Sequence, residues 1–158
     1  MGKTLVAYFS ATETTRGLAE RLANAIEADL FHIKPKQEYS EQDLDWTKKT
    51  SRCSIEMADK NTRPAIASKI KDISEYDVIF LGFPIWWDRE PSIIDTFIES
   101  YNLAGTTIVP FATSGGSGIG DADENIRKLS PMAKIEKGKR FSTSVSDAEL
   151  KKWAEKYI

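Results

Sequence analysis

The chain has 158 residues, 41% of them hydrophobic, and a formal net charge of -2. This suits a single domain over residues 1–158 with a substantial core, gives no footprint for nucleic acid, and contains no apolar run approaching the ~20 residues of a membrane span. One cysteine, Cys53, excludes an internal disulfide and a Cys-rich metal site, and the only histidine, His32, falls in a predicted edge strand with no partner near it in sequence.

Met1-Gly2-Lys3 runs straight into strand pattern without a signal-peptide stretch, so a cytoplasmic protein is expected. The first strand is read at Thr4–Phe9 and is followed by a hydroxyl-rich turn and a helix starting near Thr14, with Leu18, Leu22 and Ile26 on its buried face. A second strand is expected at Asp29–Ile33. Residues 34–64 then break the rhythm. A structureless connection of that length is improbable, so a short helix around Lys48–Asp59 or a lid over a site is expected, with Trp46, Arg52 and Met57 read as packing onto the sheet in preference to ligand contact.

Ile66, Ile70 and Ile73 predict another short helix, and Asp77–Phe83 the third strand. Ile93, Ile94, Phe97, Ile98 and Tyr101 stripe the helix after it, with Pro91 in its first turn. The fourth strand is read at Thr107–Ala112. Asp121, Asp123 and Glu124 precede Arg127 and Lys128 in the next helix, the order that a helix dipole favours. A last strand is expected within Ala133–Ser142. The final helix opens with the capping box Ser146-Asp147-Ala148-Glu149 and turns Leu150, Trp153 and Tyr157 inward. This alternation predicts an α/β fold: a doubly wound, five-stranded parallel sheet of order 2-1-3-4-5 with helices on both faces.

In such a sheet ligands gather outside the carboxyl ends of the strands, near the point where strand order reverses. Three loops converge there. The turn Ser10-Ala11-Thr12-Glu13-Thr14-Thr15 places hydroxyls around a helix N-terminus, where unpaired N–H groups and the dipole hold a phosphate without a basic side chain. The spacings G-x-x-x-x-G-K-[ST] and G-x-G-x-x-G are absent, which argues against a nucleoside triphosphate or a dinucleotide at this turn. The loop Pro84-Ile85-Trp86-Trp87 offers indoles to a planar ring. The loop Thr113-Ser114-Gly115-Gly116-Ser117-Gly118 has so little bulk that its backbone can approach a heterocycle edge.

At these residues the chain resembles the flavodoxin family, and most closely a bacterial branch with Phe-Pro-Ile-Trp-Trp and Thr-Ser-Gly-Gly-Ser-Gly loops. The resemblance covers nearly the whole chain. It implies a flavodoxin-like fold and FMN as cofactor. Ser10, Thr12, Thr14 and Thr15, with the backbone through Ala11 and Glu13, would hold the phosphate. Pro84, Ile85, Trp86 and Trp87 would line the ring, and Thr113, Ser114, Gly115, Gly116, Ser117 and Gly118 would meet its pyrimidine edge. Two departures stand out. Glu13 replaces a frequent glycine, so its carboxylate has to point to solvent. No glycine lies between Gly82 and Gly105, where many flavodoxins use one to flip a peptide on flavin reduction. The acidic residues Asp88, Glu90, Asp121, Asp123 and Glu124 are expected around the ring.

The resemblance favours an FMN-binding electron carrier served by redox partner proteins, a reductase and an acceptor. The alternative is an FMN-dependent NAD(P)H:quinone or other small-molecule oxidoreductase with a small-molecule acceptor. A phosphoacceptor signalling domain would need an acidic cluster after the first strand and an Asp ending the third. A low-molecular-weight phosphatase would need a cysteine in the first loop. The chain has none of these.

Overall fold

The computed structural model describes residues 2–114 and 118–158. In chain order the elements are β1 (Lys3–Tyr8), α1 (Glu13–Ile26), β2 (Asp29–His32), α2 (Arg52–Ala58), β3 (Tyr76–Pro84), α3 (Ser92–Glu99), β4 (Thr107–Thr113), α4 (Ala122–Leu129), β5 (Lys134–Ile135), β6 (Lys139–Phe141) and α5 (Asp147–Ala154). The strands all pair in parallel, in the order β2-β1-β3-β4-β5, and β6 joins the far end of β4. This is the flavodoxin-like order expected from the sequence.

Strand alternation divides the core in two, because successive side chains leave opposite faces of the sheet. Leu5, Ala7, Ile79, Leu81 and Ile108 face α3 and α4, whose Ile93, Ile94, Phe97 and Ile126 complete that layer. Val6, Tyr8, Phe80, Val109 and Phe111 face α1 and α5, meeting Leu18, Leu22, Leu150 and Trp153. Being covered on both faces, β3 and β4 are buried almost throughout and read as continuous apolar runs. The Ser146 hydroxyl caps α5 by accepting from the Glu149 N–H at 3.1 Å, as its capping box requires.

Two sequence expectations are corrected. The last strand is split, because Gly138 turns its N–H (2.8 Å) to the Asp123 carboxylate between β5 and β6. Ile66, Ile70 and Ile73 do not form an α-helix. Ladder-like bonds Lys36 N–H to Ala65 O and Ala67 N–H to Lys34 O, both 2.8 Å, take the backbone groups that a helix would need. The Ile70 N–H goes to the Tyr101 hydroxyl at 2.9 Å, and Ile73 opens a short 3-10 turn, so the isoleucines reach the core one at a time.

The helix expected near Lys48–Asp59 is α2, capped by Ser51. Arg52 fixes this excursion: its guanidinium pairs with Glu56 at 2.9 Å, bonds Gln37 O at 2.7 Å and lies 3.8 Å over the Tyr39 ring. Arg52 thus packs within the excursion, and Met57 is buried beside Ser92 of α3, whereas both were expected on the sheet. Trp46, expected there too, is 72% exposed.

Between α3, α4 and the loop after β3 lies a buried charge cluster. Arg89, Glu90 and Asp95 are all nearly inaccessible, with Arg89 3.8 Å from Asp95 and Asn125 donating to Glu90 at 3.1 Å. Glu90 Oε2 and Asp95 Oδ1 lack donors, an arrangement that one shared proton satisfies. Burial and the hydrogen bond with Glu90 push the Asp95 carboxyl up to about 9. The unfolded chain releases that proton near pH 4. Between about pH 4 and 9 the folded chain therefore holds a proton that the unfolded chain has lost, and stability falls as pH rises through this window. Asp95→Asn keeps a donor toward Glu90 without the titration. Urea unfolding is expected to show the variant gaining stability relative to wild type from pH 5 to pH 8; parallel pH profiles would contradict the shared proton.

Candidate functional site

Parallel pairing brings the carboxyl ends of β1, β3 and β4 to one edge. At the first, Thr12 is the N-terminal flank of α1 in extended conformation, yet its hydroxyl makes no capping bond and instead lies 3.4 Å from that of Thr14. Ser10 is spent within the turn, accepting from the Arg16 N–H at 3.2 Å and donating to Thr12 O. Thr15 is buried and shares a 2.8 Å hydrogen bond with Thr113 at the end of β4. Of the four hydroxyls, Thr12 and Thr14 are thus the exposed pair at the start of a 14-residue helix. The Glu13 carboxylate points to solvent, 3.6 Å from Arg16, as expected.

After β3 the chain makes a tight turn in which Trp86 and Arg89 exchange backbone hydrogen bonds of 3.0 and 3.1 Å. Both central residues are left-handed, Trp87 at φ 50 and Asp88 at φ 61, where side chains with a Cβ are strained. The turn is held from outside. The Asp121 N–H donates to Asp88 O at 2.7 Å, and Gly120, itself at φ 61, lets that carbonyl approach where a Cβ would collide with it. The loop lacks glycine, but its backbone already occupies the region that glycine usually serves.

The two indoles behave differently. Trp86 is wedged edge-on between Phe9 and Tyr39, each ring 5.7 Å away, whereas Trp87 is 51% exposed. Around them lie two adjoining recesses. The first, about 360 Å³, is lined by Ala11, Thr12, Thr15, Pro84, Ile85, Trp86, Trp87 and Thr113, together with Leu44, Trp46 and Cys53. The second, about 420 Å³, shares Thr12, Pro84, Ile85, Trp86 and Thr113 and adds Thr14, Ser114 and the segment 140–143.

The edge thus gathers ten of the residues singled out in the sequence. Ser10, Glu13 and Gly118 lie on the same loops but line neither recess. Gly115, Gly116 and Ser117 lie outside the described residues. Sequence reasoning missed Leu44 and Cys53, and it read Trp46 as packing in preference to ligand contact, whereas Trp46 lines the first recess. It also missed Arg140, whose guanidinium bonds Ser114 Oγ at 3.2 Å and Ser114 O at 3.0 Å from β6, the second piece of a strand whose split was not foreseen. His32 stacks flat on Tyr8, centroids 4.9 Å apart, and burial followed by the nearby Arg16 charge lowers its pKa. The acidic residues expected around the ring divide. Glu90 is fully buried in its cluster, Asp123 binds Gly138 and Glu124 pairs with Lys128, leaving Asp88 and Asp121 exposed beside the turn.

A family model described as flavodoxin matches residues 3–157. The chain belongs to the flavodoxin family. A provisionally named flavoprotein from Bacteroides eggerthii DSM 20697 is 48% identical, with 98% of this chain and 97% of that one covered and a TM-score of 0.92. Its counterpart from Bacteroides uniformis ATCC 8492 is 46% identical, with 98% of each chain covered and a TM-score of 0.92. A flavoprotein in complex with FMN from Lactobacillus acidophilus NCFM shares the fold at 24% identity and a TM-score of 0.70, with 98% of this chain and 99% of that chain covered. Curated proteins give no match.

In this chain the clamp on Asp88 is the part most sensitive to substitution. Gly120→Ala is expected to displace the turn and destabilise the protein by about 1–3 kcal/mol in urea unfolding. Gly17→Ala, in α1 with open space around it, is expected to stabilise by about 0.5–1 kcal/mol. Equal effects of the two would show that the clamp is not holding strain.

Proposed function

We propose that this flavodoxin is an FMN-dependent electron-transfer protein, working in the cytoplasm between a reductase and an acceptor protein. When bound, the cofactor supplies the redox chemistry. The donor set suits it: an uncapped N-terminus of α1 with two exposed hydroxyls for a phosphate, joined to an apolar recess large enough for a flat ring. Thr12, Thr14 and the backbone N–H groups of the first turn orient the phosphate. Thr15 and Thr113, bonded to each other, fix the distance between that turn and the end of β4. Trp86, braced by Phe9 and Tyr39, and Trp87 exclude water from the ring.

The observation that carries the electron-transfer reading is the wall of the first recess. It contains no Asp, Glu, His, Lys or Arg among the described residues, so the protein contributes binding and desolvation without a charged acid or base to move protons for a substrate. One feature favours the second reading, a small-molecule reductase: Leu44, Trp46 and Cys53 add a wall from the excursion after β2, where a second substrate could be received. Steady-state NADH or NADPH oxidation with a benzoquinone separates the two. The carrier is expected to turn over no faster than free FMN unless a separate reductase is supplied; fast, saturable turnover by the FMN-loaded protein alone would establish the reductase.

Hydrogen bonds to a charged group contribute roughly 1.5–3 kcal/mol each. Thr12→Ala and Thr14→Ala are therefore expected to weaken FMN by about tenfold or more in a fluorescence titration while leaving riboflavin nearly unchanged. Equal weakening of both ligands would remove this turn from the phosphate site.

A further inference from the structure

Trp46 and Trp87 each border two cavities. Beyond the recess assigned to the flavin ring they also line a larger groove of about 860 Å³, running between the α2 segment and the Trp86–Arg89 turn. That volume lies within the range of small-molecule sites. Two indoles 72% and 51% exposed on the walls of one groove leave flat apolar surface in water, unlike the Trp86 ring, which is held by its neighbours.

The groove is also electrostatically lopsided. Lys49 and Lys60 border it, both exposed and neither in an ion pair among the described residues. Arg89 is committed to Asp95 at 3.8 Å and to Met57 O at 3.1 Å, so it adds no free charge. Among the described residues Asp121 is the one carboxylate lining this groove, and its backbone N–H is spent on Asp88. Indole faces beside a net positive rim suit one chemistry: a flat ring to lie on the indoles and an anionic group to meet the lysines.

We propose that this groove is a second ligand site, next to the flavin site, for a planar aromatic molecule bearing an anionic group such as a sulfonate, carboxylate or phosphate. The inference goes beyond the electron-transfer reading and does not require it. The site shares Trp46 and Trp87 with the first recess, so its occupant would sit against the flavin site's wall.

The test uses oxidised, FMN-saturated protein and isothermal titration calorimetry with 2-naphthalenesulfonate and, as its uncharged counterpart, 2-naphthol at pH 7. FMN binding is measured first, so that its failure touches the cofactor reading alone. The sulfonate is expected to bind about fivefold more tightly than the naphthol, a difference of the size that two exposed ion pairs give. Lys49→Gln combined with Lys60→Gln should abolish this preference and leave naphthol binding in place. Trp46→Ala, at saturating FMN, should weaken both probes by about tenfold. No binding, equal binding of the two probes, a sulfonate preference that survives in the double lysine variant, or indifference of both probes to Trp46→Ala would each overturn the proposal.

Discussion

The parallel ladder between β1 and β3 is the constraint on which the ligand edge depends. Tyr8 pairs with Gly82, and the ladder is prolonged by the Phe9 N–H to Gly82 O bond at 3.0 Å, so β1 ends beside the last residues of β3, which runs on to Pro84. Because β2 lies on the other side of β1, the chain leaves β1 in one direction along the sheet and β3 in the other. The loops part there and leave a crevice. β4 joins in register, Pro84 opposite Thr113, which puts the Thr15 to Thr113 bond within reach. Every ligand-facing group follows from this alignment.

Most of the architecture was legible because it rests on local signals. Strands buried on both faces read as apolar runs, Ser146 announced α5 and Pro91 preceded α3. The failures come from partners distant in sequence. Ile66, Ile70 and Ile73 carry helical spacing, but residues 34–36 claim the neighbouring backbone groups, and nothing local records that competition. The break between β5 and β6 depends on the Asp123 carboxylate, fifteen residues away from Gly138. At the site, the three loops were legible as motifs. Leu44 and Cys53 were not, since their place on the wall is set by Arg52 anchoring the excursion to Tyr39, Gln37 and Glu56.

The strained turn and the buried charge cluster form one construction. The Trp86–Arg89 turn begins in the recess and ends at Arg89, whose guanidinium is locked among Asp95, Met57 and the backbone of Glu90. A left-handed pair of residues at Trp87 and Asp88 is held open on one side by the N-terminus of α4 and on the other by this cluster. Removing one partner from such a cluster leaves an uncompensated charge in the interior, which is far more costly than the pairs are stabilising. Ionic packing here serves geometry: it keeps Trp87 turned outward instead of letting the loop relax onto the core.

The sheet's outer strands are short. β2 has four residues and pairs only with β1 among the described residues, while β5 and β6, with two and three residues, divide the opposite margin and leave a gap at Gly138. An open parallel sheet with long straight margins would template the addition of strands from other molecules, the first step toward fibrillar aggregation. Here each margin offers too few consecutive free backbone groups for an incoming strand to zip along. The interruption that spoils the last strand as a regular element thus guards the fold against its own kind.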